Sequence, residues 1–274
     1  MRFSSRSFPV LLSLTGLFGY GTPSHSASIL EYRLTESGSP VTQQLEIDNG
    51  LAWIRKLSGD PNTELLFDGQ SGQWALIRHD RQTLMIFSEK SVRQLANQLE
   101  MLAPLVKGVG KQMNGLSQEQ RLVWGHLLEK VPVDELTRLQ QGAKKAKLTA
   151  VSKPHEVAGV SCHLFKVDAP PTKADLCMAE PSALSISAED ANTLSQMADS
   201  GKKMVNALGS LSAVLGFELA TNDLAKVSGI PVSFHEGHPK PATDVTFLGA
   251  KPAEKPLKSP DIPANYRHEK FKPW

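Results

Sequence analysis

The chain has 274 residues, of which 30 are Lys or Arg and 28 Asp or Glu, so its formal charge at pH 7 is only +2. A balance this close to neutral removes any chain-wide electrostatic case for nucleic acid, whose phosphates call for a strongly basic surface. Hydrophobic residues make up 40% of the chain, and two cysteines are present.

Residues 1–27, MRFSSRSFPVLLSLTGLFGYGTPSHSA, have the three-part grammar of a signal peptide. Arg2 and Arg6 give a basic start, Phe8 to Phe18 an apolar stretch, and Ser24 to Ser28 the small residues of a cleavage site near Ser26 or Ala27. The apolar run is too short for a membrane span of ~20 residues, and Pro9, Ser13, Thr15 and Gly16 interrupt it. No transmembrane segment is expected, and no cysteine follows the apolar run to carry a lipid. The expected location is the periplasm, with secretion as the alternative. What remains, roughly 245 residues, suits one domain over 28–251, followed by a proline-rich extended segment over 252–274.

From Ile29 to Glu89 short apolar segments alternate with turn formers: ILEYRLTE, VTQQLEID, LAWIRKL, TELLFDG, WALIRHD and TLMIFSE. Asp48-Asn49-Gly50, Gly59-Asp60-Pro61-Asn62 and Gly69-Gln70-Ser71-Gly72 mark the turns, which predicts a β-meander. Tyr32, Leu34, Leu45 and Ile47 alternate, whereas Trp74-Ala75-Leu76-Ile77 and Leu84-Met85-Ile86-Phe87 are apolar on both faces. Such strands are covered on both sides or face an apolar cavity.

At Ser88 the period changes to that of a helix, with Val92, Leu95, Ala96, Leu99, Leu102 and Val106 on one stripe. Ser117 and Gln120 begin a second helix that Pro132 ends, so a helical insertion is expected over about 88–145. Strands return near Leu148. GVSCHLFKV and ADLCMA flank the turn-rich DAPPTK, which places Cys162 and Cys177 across a hairpin. An exported chain meets an oxidising compartment, so the pair is expected as a disulfide, with two buried thiols as the alternative. Ser187 and Asp190 cap a further long helix, broken near Gly201 or Gly209, before the strands IPVSFHEG and TDVTFLGAK. The closing segment is too rich in proline for a helix or a central strand, and Ile262, Tyr266 and Phe271 are its candidate anchors.

Chemistry-bearing motifs are few. Gly108-Val109-Gly110-Lys111 lacks the spacing of a phosphate loop, and no G-x-S-x-G elbow occurs. His235, Glu236 and His238 miss the H-E-x-x-H pattern by one residue and read as a solvated turn, as does His79 beside Asp80 and Arg81. No catalytic residue, metal ligand set or cofactor follows. Trp53, Phe67, Trp74 and Phe87 fall in successive strands of one meander; they form an ordinary core or line a cavity for an apolar ligand, with Leu95 and Leu99 of the first helix opposite.

Ile47-Asp48-Asn49-Gly50 with Trp53-Ile54-Arg55, Leu66-Phe67-Asp68, Ile77-Arg78-His79-Asp80, Gly159-Val160-Ser161-Cys162 answered by Leu176-Cys177-Met178-Ala179, LSQEQRLVWGHLLE and Ile262-Pro263-Ala264-Asn265-Tyr266 carry a resemblance. Over nearly the whole mature length the chain resembles exported bacterial proteins of unknown function with a LolA-like domain. The resemblance implies an α+β fold, a strongly curved antiparallel sheet forming an open half-barrel with helices packed on its concave face. In lipoprotein carriers of that architecture, acyl chains lie between sheet and helices. The disulfide hairpin and the longer helical insertion depart from the carriers, so their ligand does not transfer. The sequence thus supports a non-enzymatic binding protein for a lipid, lipoprotein acyl chain or other apolar group. A structural or partner-binding module for another envelope protein is the alternative.

Overall fold

The computed structural model describes residues 27–36, 40–57, 60–98, 147–169, 172–208, 227–237, 243–254 and 262–269. Residues 1–26 of the expected signal, residues 99–146 of the insertion with Leu99, and His238, Gly209 and Phe271 lie outside them.

The expected meander forms as six strands: β1 (Ser28–Glu36), β2 (Val41–Asp48), β3 (Leu51–Ile54), β4 (Thr63–Asp68), β5 (Gln73–Arg78) and β6 (Thr83–Phe87). Local chemistry sets its turns. Asn49 and Gly50 both take positive φ, 49° and 79°, as a tight hairpin of the right-handed twist requires. The Asp68 carboxylate accepts the amides of Gln70 and Ser71 and the Ser71 hydroxyl, closing the β4–β5 turn. Burial raises that carboxyl's pKa, but these donors outweigh it and hold the group below its usual range. Helix α1 follows over 89–98, with Val92, Leu95 and Ala96 buried.

The second block contains β7 (Lys147–Ala150), β8 (His155–Val157), β9 (Val160–Ala169), β10 (Thr172–Ala179), a short 3-10 turn (Pro181–Leu184), helix α2 (Ala188–Leu208), β11 (Ile230–Gly237) and β12 (Thr243–Pro252). Ser187 Oγ accepts the Asp190 amide at 3.0 Å, the cap expected from the sequence. Helix α2 runs unbroken through Gly201, where a break was among the expectations.

With β13 (Arg267–Glu269), all these strands join one large, curved, unclosed sheet in the order β13-β6-β5-β4-β3-β2-β1-β12-β11-β10-β9-β7, with β8 beside β9. The class is α+β. The two blocks meet where β1 pairs antiparallel with β12, from Ser28 opposite Pro252 to Glu36 opposite Thr243. Two bulges bend the middle of the sheet. One leaves Leu248 extra opposite Glu31/Tyr32, beside Gly249 at φ 153°, a conformation that side chains rarely adopt. The other leaves Val232 extra opposite Cys177/Met178.

One departure from the antiparallel pattern lies in the tail. β13 (Arg267–Glu269) adds to the β6 edge in parallel, so the proline-rich segment contributes a sheet strand. Its edge position needs few ladder donors and fits the proline content around it.

The main core lies on one sheet face, beneath α2. Leu30, Ile47, Phe67, Cys177, Leu184, Leu194, Val232 and Phe247 are almost wholly excluded from solvent there. Tyr32 and Phe247 meet edge-on at 5.4 Å, and burial pushes the Tyr32 hydroxyl's pKa far up. Across the β9–β11 part of the sheet the opposite face carries a second cluster, Val167, Ala174, Leu176 and Met178 with Val227.

Cys162 and Cys177 form the disulfide, with Cα atoms 5.6 Å apart, inside the main core. Their placement corrects one detail of the sequence reading. Cys177 stands opposite Leu164, so the bridge runs diagonally between strands instead of joining a directly facing pair. The strands extend to Ala169 and from Thr172, leaving a shorter turn than DAPPTK suggests and shifting the register. Replacing both cysteines with serine should lower unfolding free energy by about 2–4 kcal/mol, because a closed loop of separation 15 restricts the unfolded chain. Urea unfolding followed by circular dichroism checks this, and the native spectrum should keep its sheet signal.

Candidate functional site

The ladder registers decide which expected site residues meet. Ala52, Phe67, Trp74 and Phe87 stand opposite one another along one row, and Ile54, Leu65, Leu76 and Met85 form the next row on the same face. Phe67 and Trp74 lie 5.0 Å apart by ring centroid, and Trp74 stacks on Phe87 at 6.4 Å. Trp53 does not join them. It pairs with Leu66 and therefore points to the opposite face, because neighbouring residues of a strand alternate. Leu95 is buried on α1.

Helix α2 covers part of these rows. At its start, Asp190 accepts the Ser28 hydroxyl of β1; at Gln196 it lies over Gly69, where an added Cβ would meet the glutamine oxygen at 2.5 Å; and at Ser200 it accepts the Trp74 indole N–H at 3.0 Å. It thus crosses from β1 towards β5. Phe67 is 1% exposed beneath it, whereas Ile54, Leu65, Trp74, Leu76, Met85 and Phe87 all stay half-buried. A third row, Thr63, Arg78 and Thr83, bounds the apolar patch with polar groups. The result is an apolar strip of two rows, indole nitrogen already satisfied, with a guanidinium at its rim.

On the opposite face the same strands build a polar chain. Glu46 accepts Arg55 Nε at 2.7 Å, and the Arg55 guanidinium lies 3.5 Å above the Trp53 ring. The Trp53 indole donates to Glu64 Oε2 at 2.9 Å, while Glu64 Oε1 lies 3.0 Å from His79 Nε2. His79 Nδ1 lies 2.7 Å from the Tyr266 hydroxyl, with the rings edge-on at 5.8 Å. His79 is an exposed turn residue, as expected, and it also joins the turn to Tyr266, just ahead of the C-terminal strand. Nothing local in the sequence marks a contact across 187 positions.

His235 pairs with Asp244 at 2.5 Å on the neighbouring strand, and the Thr243 amide donates to Glu236. Among the described residues no three His, Cys, Asp or Glu side chains are grouped to hold a metal ion, and no helix is long and apolar enough to cross a membrane.

No protein-family model matches the sequence, and no curated protein matches it. Among solved structures, two crystal forms of PNGF-II, C2 and P21, are similar at 5% identity with TM-scores of 0.39 and 0.38. They align with 90% and 89% of this chain, which spans 31% of the length of each. Likeness at this level carries no argument about function.

Replacing His79 with Ala, or Tyr266 with Phe, should loosen β13 without unfolding the sheet. Losing a net ~1 kcal/mol of hydrogen bonding raises the open population about fivefold. Trypsin cleavage after Arg267 in native protein, timed by mass spectrometry, should accelerate by that order, while the global unfolding midpoint stays nearly unchanged.

Proposed function

We propose that the chain is an exported, non-enzymatic binding protein that holds an acyl chain or a similar apolar group against the two apolar rows of β3–β6. The observation that carries this reading is the half-burial of Ile54, Leu65, Trp74, Leu76, Met85 and Phe87 on a sheet face that elsewhere forms a closed core. Apolar surface left partly in water is costly, at about 25 cal/mol per Å², and a ligand that covers it recovers that free energy. Arg78, partly exposed between the buried Thr63 and Thr83, gives an amphiphile's head group a charged partner at the rim. The resemblance to LolA-like proteins supports the same reading: an open half-barrel whose concave face carries α2 and takes up the chain beside it. The disulfide and the signal-like residues 1–27 support export to the periplasm.

Protein purified from its own periplasm should carry extractable lipid by native mass spectrometry, and emptied protein should bind a fluorescent fatty acid. Met85→Lys, which sets a charge among the rows, should weaken that binding about tenfold or more, since a charge buried without a partner costs well over 1.4 kcal/mol. Ile86→Lys changes an exposed position, 45% accessible, on the opposite face and should bind as the parent does. Natively folded protein that is empty and binds no fatty acid would reject the ligand and leave the partner-binding envelope module.

A further inference from the structure

The first residues of β1 are built into the core at the point where the sequence puts the signal junction. Ala27 is 2% exposed and Ser28 5%. The Ala27 carbonyl accepts the Ala253 amide, and Ser28 pairs at once with Ile47 of β2 and Pro252 of β12. The Ser28 hydroxyl donates to Asp190 Oδ2 at 2.5 Å, and Asp190 is wholly buried in the first turn of α2. Donors and positive charge gathered around a buried carboxyl offset the cost of its burial. The positive end of the α2 dipole supplies part of this. A cut after Ser28 would remove the hydroxyl, and a cut after Ala27 the carbonyl that Ala253 uses.

We infer that the chain is processed at the Ser26–Ala27 bond and that the new α-amino group of Ala27 docks beside the buried Asp190 carboxylate, so that leader removal completes the core. Ser24 and Ser26 supply the small residues such a cut needs. Hydrolysis of that bond consumes one water, leaves a carboxylate on Ser26 and creates a protonated amine on Ala27. That amine stands one residue from the hydroxyl already bound to Asp190. The charge is new, since the unprocessed chain has a neutral amide at this position. Because Ala27 and Ser28 are buried, the cut comes before β1 enters the sheet, and a chain that keeps its leader lacks the ion pair. The inference rests on the export reading but not on the acyl ligand.

The test begins with the first residue of protein recovered from the periplasm, read by intact mass and N-terminal sequencing. Ala27 is expected. A periplasmic chain starting at Met1 would overturn the cleavable-leader reading and this inference together, and any other start than Ala27 would overturn the inference alone. The α-amine of the native, processed protein should then react with an amine-selective acylating reagent near neutral pH about tenfold or more slowly than after denaturation. Equal rates would overturn the docking. Finally, acylating the α-amine before refolding should lower the urea midpoint of the parent more than that of Asp190→Asn. Equal losses in both would mean that Asp190 does not hold the amine. Should Asp190→Asn fail to fold, the labelling rates decide alone.

Discussion

The pairing of β1 with both β2 and β12 is the contact on which this fold depends. The chain's first strand is the only ladder between the meander and the second block among the described residues, and it spans Ser28 to Glu36 on the β12 side. Leu30, wholly buried, and Tyr32, packed on Phe247, place the centre of the core on this strand. Helix α2 is tied to its first residue through Ser28 and Asp190 and then reaches Trp74 on β5. One strand thereby sets the continuity of the sheet and the starting position of the helix. Where α2 ends its crossing decides which rows of the meander stay partly uncovered.

The two faces of the meander divide the work. On one, apolar rows run from a closed core under α2 to a half-buried strip. On the other, Ile77 and Leu84 are buried as well, and Trp53 is flanked by charge: Arg55 stacks on its ring, Glu64 takes its indole hydrogen, and His79 continues the chain to the tail. The strip's one indole donor is already bound to Ser200, which supports the proposed apolar guest. The polar chain is suited to holding β13, whose three residues give little ladder of their own.

Much of this was legible in the sequence. The turn formers at Asp48-Asn49-Gly50 and Gly69-Gln70-Ser71-Gly72 mark true turns, and the Ser187 cap starts α2 where the spacing puts it. The cysteines bridge as the compartment and the hairpin suggest. What escaped follows from missing contrast or from distance. Leu51-Ala52-Trp53-Ile54 is apolar throughout, so no alternation shows that Trp53 turns away from Phe67 and Trp74. The diagonal bridge depends on a turn length that two prolines between Ala169 and Thr172 leave unsettled. The parallel strand at Arg267 and the His79–Tyr266 contact pair segments far apart in the chain, for which local pattern carries no signal.

If β1 unites the sheet, the two blocks cannot open separately. Hydrogen exchange of the oxidised, processed protein, read at residue resolution under mild urea, tests this most directly. Amides of Leu30, Tyr32, Phe247 and Ala250 should be among the slowest, and protection in β2–β5 and in β9–β11 should be lost together with theirs in one global opening. Exchange of β2–β5 in a separate, earlier step, with β9–β12 still protected, would contradict the account.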